Sequence, residues 1–263
     1  MLGKLLKYDL KWIYKTLLVF YALGLVFAVF TRIFLNIENS MLFSIVGKVT
    51  NGIMIGVIIS GIINSVIRSW VRFINNLYKD ESYLTHTLPV QKKTIYLSKV
   101  LTAIICTFTS VLVALLCIFI SYYSKENMEG LKSFLKLTAG SYDTTVFMLI
   151  LDVALVFFLE VVFVILIGYV SIIIGHKLNR NKMLITFILG ICLYNFTSSL
   201  TLGIVYFVGL FNSNVMNIIN TTNIIEVSAM RTVMYIGLGA YVVYCLVYYL
   251  IGKKLLNKGV NID

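Results

Sequence analysis

Hydrophobic residues in this chain occur in long runs, and polar residues are concentrated in the short segments between those runs. A run of about twenty apolar residues can cross a hydrocarbon core of about 30 Å as a helix. The pattern therefore predicts an all-α membrane protein with a single transmembrane domain over residues 1–263. Six spans are predicted, at about 16–35, 49–70, 100–122, 145–175, 183–203 and 232–252.

Three segments outside these spans have patterns of their own. Residues 1–15 alternate lysines with leucines and a tryptophan, which predicts an amphipathic helix lying flat in the headgroup layer. The loop 123–145 carries apolar residues at the spacing of one face of a short helix, which we expect on the outer membrane surface. A polar interruption at 195–199 precedes an apolar run at 202–211 that is too short to cross the membrane. This run predicts a re-entrant outer segment between spans five and six.

Charge decides the predicted orientation of the spans. Only 13% of the residues are charged, against roughly a quarter in an ordinary globular domain. The net charge of +11 would indicate nucleic acid as the partner of a soluble protein, but lysines and arginines also collect in the cytoplasmic loops of membrane proteins. Of the 22 lysines and arginines, 16 lie on the side that would hold both termini. We therefore predict a multi-pass protein of the cell membrane, with both termini and residues 72–99 in the cytoplasm and no nucleic-acid partner.

The polar segment 80–89 separates the second and third predicted spans and contains the only proline. Asp80 and Glu81 favour a helix start, where negative charge is stabilised, and Pro89 favours a helix end. The segment also carries three apolar residues although we expect it in water: Tyr83, Leu84 and Leu88. We interpret it as a short helix that docks on a soluble partner; the alternative is a solvated loop.

Motifs for chemistry within the chain are absent from the sequence. It contains no Gly-x-x-x-x-Gly-Lys-[Ser/Thr], no Gly-x-Ser-x-Gly and no His-Glu-x-x-His. All four cysteines fall in apolar segments, which indicates small buried side chains rather than disulfides or a zinc site. We therefore expect neither catalysis nor a cofactor or metal site in this chain.

Two acidic residues, Asp152 and Glu160, fall within the fourth predicted span. Intramembrane carboxylates are costly and usually face a bundle interior or a wet cavity. One interpretation is that burial keeps both protonated, with a polar neighbour such as Asn64, Asn195 or Ser198 as hydrogen-bond partner. The other is a substrate path lined by Asp152, Glu160, Asn64 and Asn195.

The segment 80–89 resembles the cytoplasmic loop of ATP-binding-cassette exporter permeases of the drug, polysaccharide and antimicrobial-peptide-resistance type. The residues that carry the resemblance are Asp80, Glu81, Tyr83, Leu84, Leu88 and Pro89, followed by Ser98 and Lys99. Ser82 is a departure, because that family loop often has glycine at this position. The first ten residues are also similar to the start of many Gram-positive bacterial permeases of this group.

The resemblance implies a flat N-terminal helix, six spans, a coupling helix between spans two and three, and a re-entrant segment between spans five and six. It implies a permease subunit that exports a drug, an antimicrobial peptide or a lipid-like substrate. ATP and magnesium would be bound by separate ATPase subunits that dock on 80–89. A second permease copy or a paralogue would complete the complex among the membrane lipids. The alternative is a non-transporting sensor or immunity protein that binds a peptide or a signalling partner.

Overall fold

The computed structural model describes residues 1–35, 37, 41–79, 81–87, 89–178, 181–219 and 227–258. Every regular element in these residues is an α-helix. In chain order the helices are α1 (Leu2–Leu35), α2 (Met41–Leu77), α3 (Ser82–Thr87), α4 (Lys92–Tyr122), α5 (Lys125–Ser141), α6 (Val146–Gly175), α7 (Lys182–Gly209), α8 (Ser213–Ile219) and α9 (Val227–Asn257).

Six of the described helices are long and apolar enough to cross a membrane, by length and composition. They are α1, α2, α4, α6, α7 and the Met230–Asn257 part of α9, with mean hydropathies from 1.7 to 2.9. The prediction of an all-α, multi-pass membrane protein with six candidate spans is therefore confirmed.

The helices form two compact units, and the division between the units falls within α5. In the first unit, Met1–Met128, α1 packs along α2 and α4, and α2 also packs on α4. Two buried clusters join these three helices: Ile13 and Leu17 with Cys106, and Ala28 with Met54 and Cys117. The small side chains in these clusters let helix backbones approach closely, as helix packing in lipid requires.

In the second unit, α6 packs on both α7 and α9, and α8 packs on those same two helices. Thr145 caps α6, because its hydroxyl accepts a hydrogen bond of 3.3 Å from the backbone N–H of Met148. At the other end of α6, a Cβ on Gly175 would meet Thr186 and the carbonyl oxygen of Lys182. The end of α6 and the start of α7 therefore approach each other closely at a residue without a side chain.

Residues 1–15 do not form a helix separate from the first span, contrary to the prediction. α1 continues without a break from Leu2 to Leu35, and both Asp9 and Ile13 are buried. The reason lies in their partners: Ile13 packs against Cys106 of α4, and the Asp9 carboxylate binds cationic side chains of α2 and α4. These contacts hold the segment against α2 and α4.

The polar residues 195–199 do not break the helix, because α7 continues through them, and the re-entrant segment predicted from 202–211 is not confirmed. The side-chain amide of Asn195 donates to the Ile191 carbonyl at 2.9 Å, and the Thr197 hydroxyl donates to the Leu193 carbonyl at 2.8 Å. Such bonds to the preceding turn satisfy polar side chains without ending a helix. Most of 202–211 is consequently the last part of α7. The short helix α8 follows it, and residues 220–226 lie outside the described part of the chain.

Candidate functional site

The short helix α3 lies between α2 and α4 and has a buried and an exposed side. Ser82 and Thr85 are buried, whereas Tyr83 is 64% and Leu84 is 73% exposed. Pro89, beyond its end, is exposed. Asp80 and Leu88, also predicted as docking residues, lie outside the described residues. The described part of the segment therefore presents an adjacent aromatic and aliphatic side chain to its surroundings.

Glu81, directly before α3, is bonded within the chain. Its carboxylate accepts two hydrogen bonds from Nη1 of Arg72, at 2.9 and 2.7 Å, and another from the Asn76 amide. Arg72 and Asn76 lie one turn apart near the end of α2. Glu81 therefore ties the start of α3 to the second candidate span.

Asp9 of α1 joins the same network from the opposite side. Its carboxylate accepts a hydrogen bond of 3.0 Å from Nε of Arg72 and bonds of 2.7 and 2.8 Å from Nζ of Lys99. Lys99, in the second turn of α4, also donates to the side-chain oxygen of Asn76. We refer to Asp9, Arg72, Asn76, Glu81 and Lys99 as the Asp9 cluster.

The Asp9 cluster balances two cationic side chains against two carboxylates. Asp9, Arg72 and Lys99 are at most 9% exposed, whereas the Glu81 side chain is 43% exposed. Buried charges are tolerated only when they are paired and hydrogen-bonded, and removing one partner costs several kcal/mol. The cluster therefore fixes the positions of α1, α2 and α4 relative to the start of α3.

Aromatic side chains surround this network. The Arg72 guanidinium lies 5.3 Å from the centre of the Trp12 ring, in cation–π geometry. Phe73 contacts both Tyr78 and Tyr96, with ring centroids 6.4 and 6.3 Å away. Burial raises the pKa of Tyr78, which lies just beyond α2. The end of α2 is thus packed against the beginning of α4 beside the cluster.

A cavity of about 350 Å³ opens next to the Asp9 cluster. It is lined by Leu5, Tyr8, Asp9, Arg72, Asn76, Leu84, Thr85, Ile95, Ser98 and Lys99. The exposed Leu84 therefore lies at the edge of an amphipathic recess whose polar wall is the cluster itself.

Sequence reasoning assigned no role to Asp9 or Asn76 and treated Arg72 only as a basic flank. One signal was present: Asp9 is the only acidic residue among the first 37. An acid on a basic and apolar helix that enters a membrane has to find a cation, and the nearest cations in space lie on α2 and α4.

The four residues predicted to line a substrate path fall in different places. Asn64 belongs to the first unit, where its amide donates to the Ser60 carbonyl at 2.9 Å. The other three belong to the second unit, and Asn195 is exposed. Asp152 is buried and accepts a bond of 3.2 Å from the Tyr235 hydroxyl; Glu160 accepts one of 3.1 Å from Tyr194. Tyrosines of α7 and α9, rather than the predicted asparagines or Ser198, are therefore the partners of these acids.

Among the residues that the structure describes, no three His, Cys, Asp or Glu side chains cluster as metal ligands do. Comparisons of the chain with protein-family models, curated proteins and solved structures found no match. The assignment of a function therefore depends on the residues of this chain alone.

Proposed function

We propose that the chain is the transmembrane permease subunit of an ATP-binding-cassette exporter, with α3 as its docking helix for a separate ATPase subunit. One observation supports this most strongly: the exposed pair Tyr83 and Leu84 sits on a helix that the Asp9 cluster ties to three candidate spans. A solvated loop needs neither the exposed apolar pair nor the buried connection.

The chemistry of α3 suits docking. Protein interfaces concentrate their energy in a few side chains, and aromatic residues are prominent among them. Tyr83 with Leu84 supplies such a pair, next to a recess that would admit an apolar side chain of the partner. The ATPase subunit would thus bind the exposed side of α3, while the buried side stays attached to the membrane helices.

The chemistry of the Asp9 cluster suits transmission of movement. Hydrogen bonds between ionised groups are short, directional and stronger than neutral ones. A displacement of α3 would act through Glu81 on Arg72 in α2, and from there through Asp9 and Lys99 on α1 and α4. ATP-driven closure of two ATPase subunits would in this way move the spans between inward and outward states.

The substrate under this proposal is a drug, an antimicrobial peptide or a lipid-like molecule that leaves the cell. ATP and magnesium are bound by the ATPase subunits, and a second copy of the chain or a paralogue completes the membrane part. The chain itself contributes the passage and the docking helix.

The test is co-purification from the native membrane in mild detergent, with the partners identified by mass spectrometry. The variant Tyr83→Ala with Leu84→Ala is compared with Phe134→Ala with Leu137→Ala on α5. The two pairs are matched in exposure, at 64 and 73% against 64 and 74%. If the α3 pair is a hot spot costing ~2 kcal/mol or more, its removal weakens the ATPase complex roughly 30-fold.

Retention of an ATPase by the unmodified chain and by the α5 variant, with loss from the α3 variant, would support the proposal. If the α3 variant keeps the ATPase as well as the unmodified chain, α3 is only a solvated loop. If a histidine kinase co-purifies and no ATPase does, the sensor alternative is favoured.

A further inference from the structure

Glu160 occupies the middle of α6 and is approached by tyrosines from two other helices. The Tyr194 hydroxyl of α7 donates to its Oε1 at 3.1 Å, and Tyr241 of α9 packs edge-on against Phe163, three residues further along α6, with ring centroids 5.2 Å apart. The carboxylate therefore lies where the three long helices of the second unit meet.

The tyrosines around Glu160 belong to a larger aromatic group. Phe163, less than one turn beyond Glu160, is fully buried and has four tyrosine rings around it. Their centroids lie 5.2 to 6.0 Å from that of Phe163, and the residues are Tyr194, Tyr241, Tyr244 and Tyr248. Tyr194 is 39% exposed and Glu160 is only partly buried, so the carboxylate is reachable from the surface of this unit.

Glu160 differs from Asp9 in its partners. Asp9, the buried acid of the first unit, has two cationic partners, but none of the described residues forms a salt bridge with Glu160. An intramembrane acid normally pairs with a charge or faces a substrate pathway. Glu160 therefore offers a carboxylate that no cationic side chain among the described residues binds.

The aromatic side chains near Glu160 favour an organic cation over a metal ion. Aromatic ring faces attract organic cations, and the attraction is strongest where water is excluded. Hard metal ions instead need several oxygen ligands, and no group of three acidic or metal-binding side chains is found among the described residues. A carboxylate beside such a group of tyrosine rings fits an ammonium or phosphonium centre carried on an apolar body.

We propose that Glu160, Tyr194 and Tyr241 form a binding site for a lipophilic organic cation. That this cation is the exported substrate rests on the proposed function. Binding of the cation does not, because it requires no ATPase. Asp152, eight residues earlier on α6, serves as the comparison within the same helix. It is 8% exposed and bonded to the single phenol Tyr235, so the same cation should not bind there.

The experiment measures binding of tritiated tetraphenylphosphonium to the full chain, purified in detergent with whatever subunits accompany it. Tetraphenylborate has the same shape and the opposite charge and is tested as a competitor. We expect saturable tetraphenylphosphonium binding that tetraphenylborate does not displace. Glu160→Gln removes the counter-charge without changing the shape, and should weaken binding about 30-fold or more. Asp152→Asn, the matched control, should leave the affinity unchanged.

A second pair of variants covers the case in which Glu160→Gln fails to elute as a monodisperse protein. Tyr194→Phe keeps the ring and should retain most of the affinity, whereas Tyr194→Leu removes the ring and should weaken binding about fivefold or more. Equal affinities of these two variants would overturn the proposal. So would undiminished binding by a folded Glu160→Gln protein, equal binding of the two probe ions, or an equal loss in Asp152→Asn.

The outcomes for the cation site and for the exporter are separable. Tetraphenylphosphonium binding without a co-purifying ATPase keeps the site and rejects the exporter. An ATPase that co-purifies with a chain unable to bind tetraphenylphosphonium keeps the exporter and rejects the site.

Discussion

Substitution of Asp9 by asparagine should loosen the attachment of α1 to the rest of the first unit. The change keeps the shape of the side chain but leaves Lys99 and Arg72 without the charge that both of them bind. Removing one partner of a buried ion pair costs about 3–5 kcal/mol. Because Arg72 keeps Glu81, which is partly exposed, the loss falls mainly on Lys99, and we expect about 3 kcal/mol.

Cys106 provides the assay for this prediction. Its thiol is fully buried against Ile13 and Leu17, in the two turns of α1 that follow Asp9. Separation of α1 from α4 exposes it to a maleimide, and mass spectrometry of the labelled peptides distinguishes it from the other cysteines. A loss of about 3 kcal/mol should raise its labelling rate roughly 100-fold, at a factor of ten for each ~1.4 kcal/mol.

Two further variants separate charge from general damage. Glu126→Gln neutralises an exposed carboxylate of α5 and should change stability by no more than about 0.5 kcal/mol. Asp9→Asn with Lys99→Met removes the unpaired ammonium as well, and should recover most of the loss, because an apolar replacement of a buried ion pair is often neutral. Unchanged Cys106 labelling in Asp9→Asn, or a double variant less stable than the single one, would show that the Asp9 charge does not hold α1 in place.

Two other predictions concern helix packing and orientation. Gly175→Ala puts a Cβ against Thr186 and the Lys182 carbonyl and should lower the free energy of unfolding by about 1–3 kcal/mol, measured by thermal unfolding. In the control Gly140→Ala, the new Cβ meets nothing within 4 Å and should not destabilise the protein. Equal stability of the two variants would contradict the close approach of α6 and α7. Single-cysteine variants of a chain without its native cysteines are labelled in intact cells with a membrane-impermeant maleimide. Asn127→Cys should be labelled and Tyr83→Cys should not. Labelling at position 83 would contradict the orientation predicted from the lysine and arginine count.

The six candidate spans were predictable because hydropathy is a local property that a run of about twenty residues records directly. The bounds of the helices were harder to predict. The polar residues at 195–199 suggested a break, but Asn195 and Thr197 bond to carbonyls of their own helix, which a reading of polarity alone does not reveal. The N-terminal fifteen residues suggested a separate surface helix because their four lysines dominate the polarity pattern. The pattern does not show that the single aspartate binds cations on other helices.

The Asp9 cluster could not be read from the sequence, because its members are far apart along the chain. Asp9 and Arg72 are separated by 63 positions, and Asp9 and Lys99 by 90. No local pattern records such pairing, since it depends on how three helices pack. The exposed pair Tyr83 and Leu84 could be predicted because the pattern is local: two adjacent apolar residues lie within a polar segment of ten residues.

Site-specific cross-linking tests directly whether α3 is the docking surface for a separate ATPase subunit. A photoreactive amino acid replaces Leu84 in one protein and Leu137 in another, two leucines that are 73 and 74% exposed. Irradiation is carried out in native membranes, and the cross-linked products are identified by mass spectrometry. We expect that position 84 forms a product with an ATP-binding-cassette ATPase and that position 137 does not. The absence of any ATPase product at position 84, in membranes where position 84 cross-links to lipid or to another protein, would contradict it.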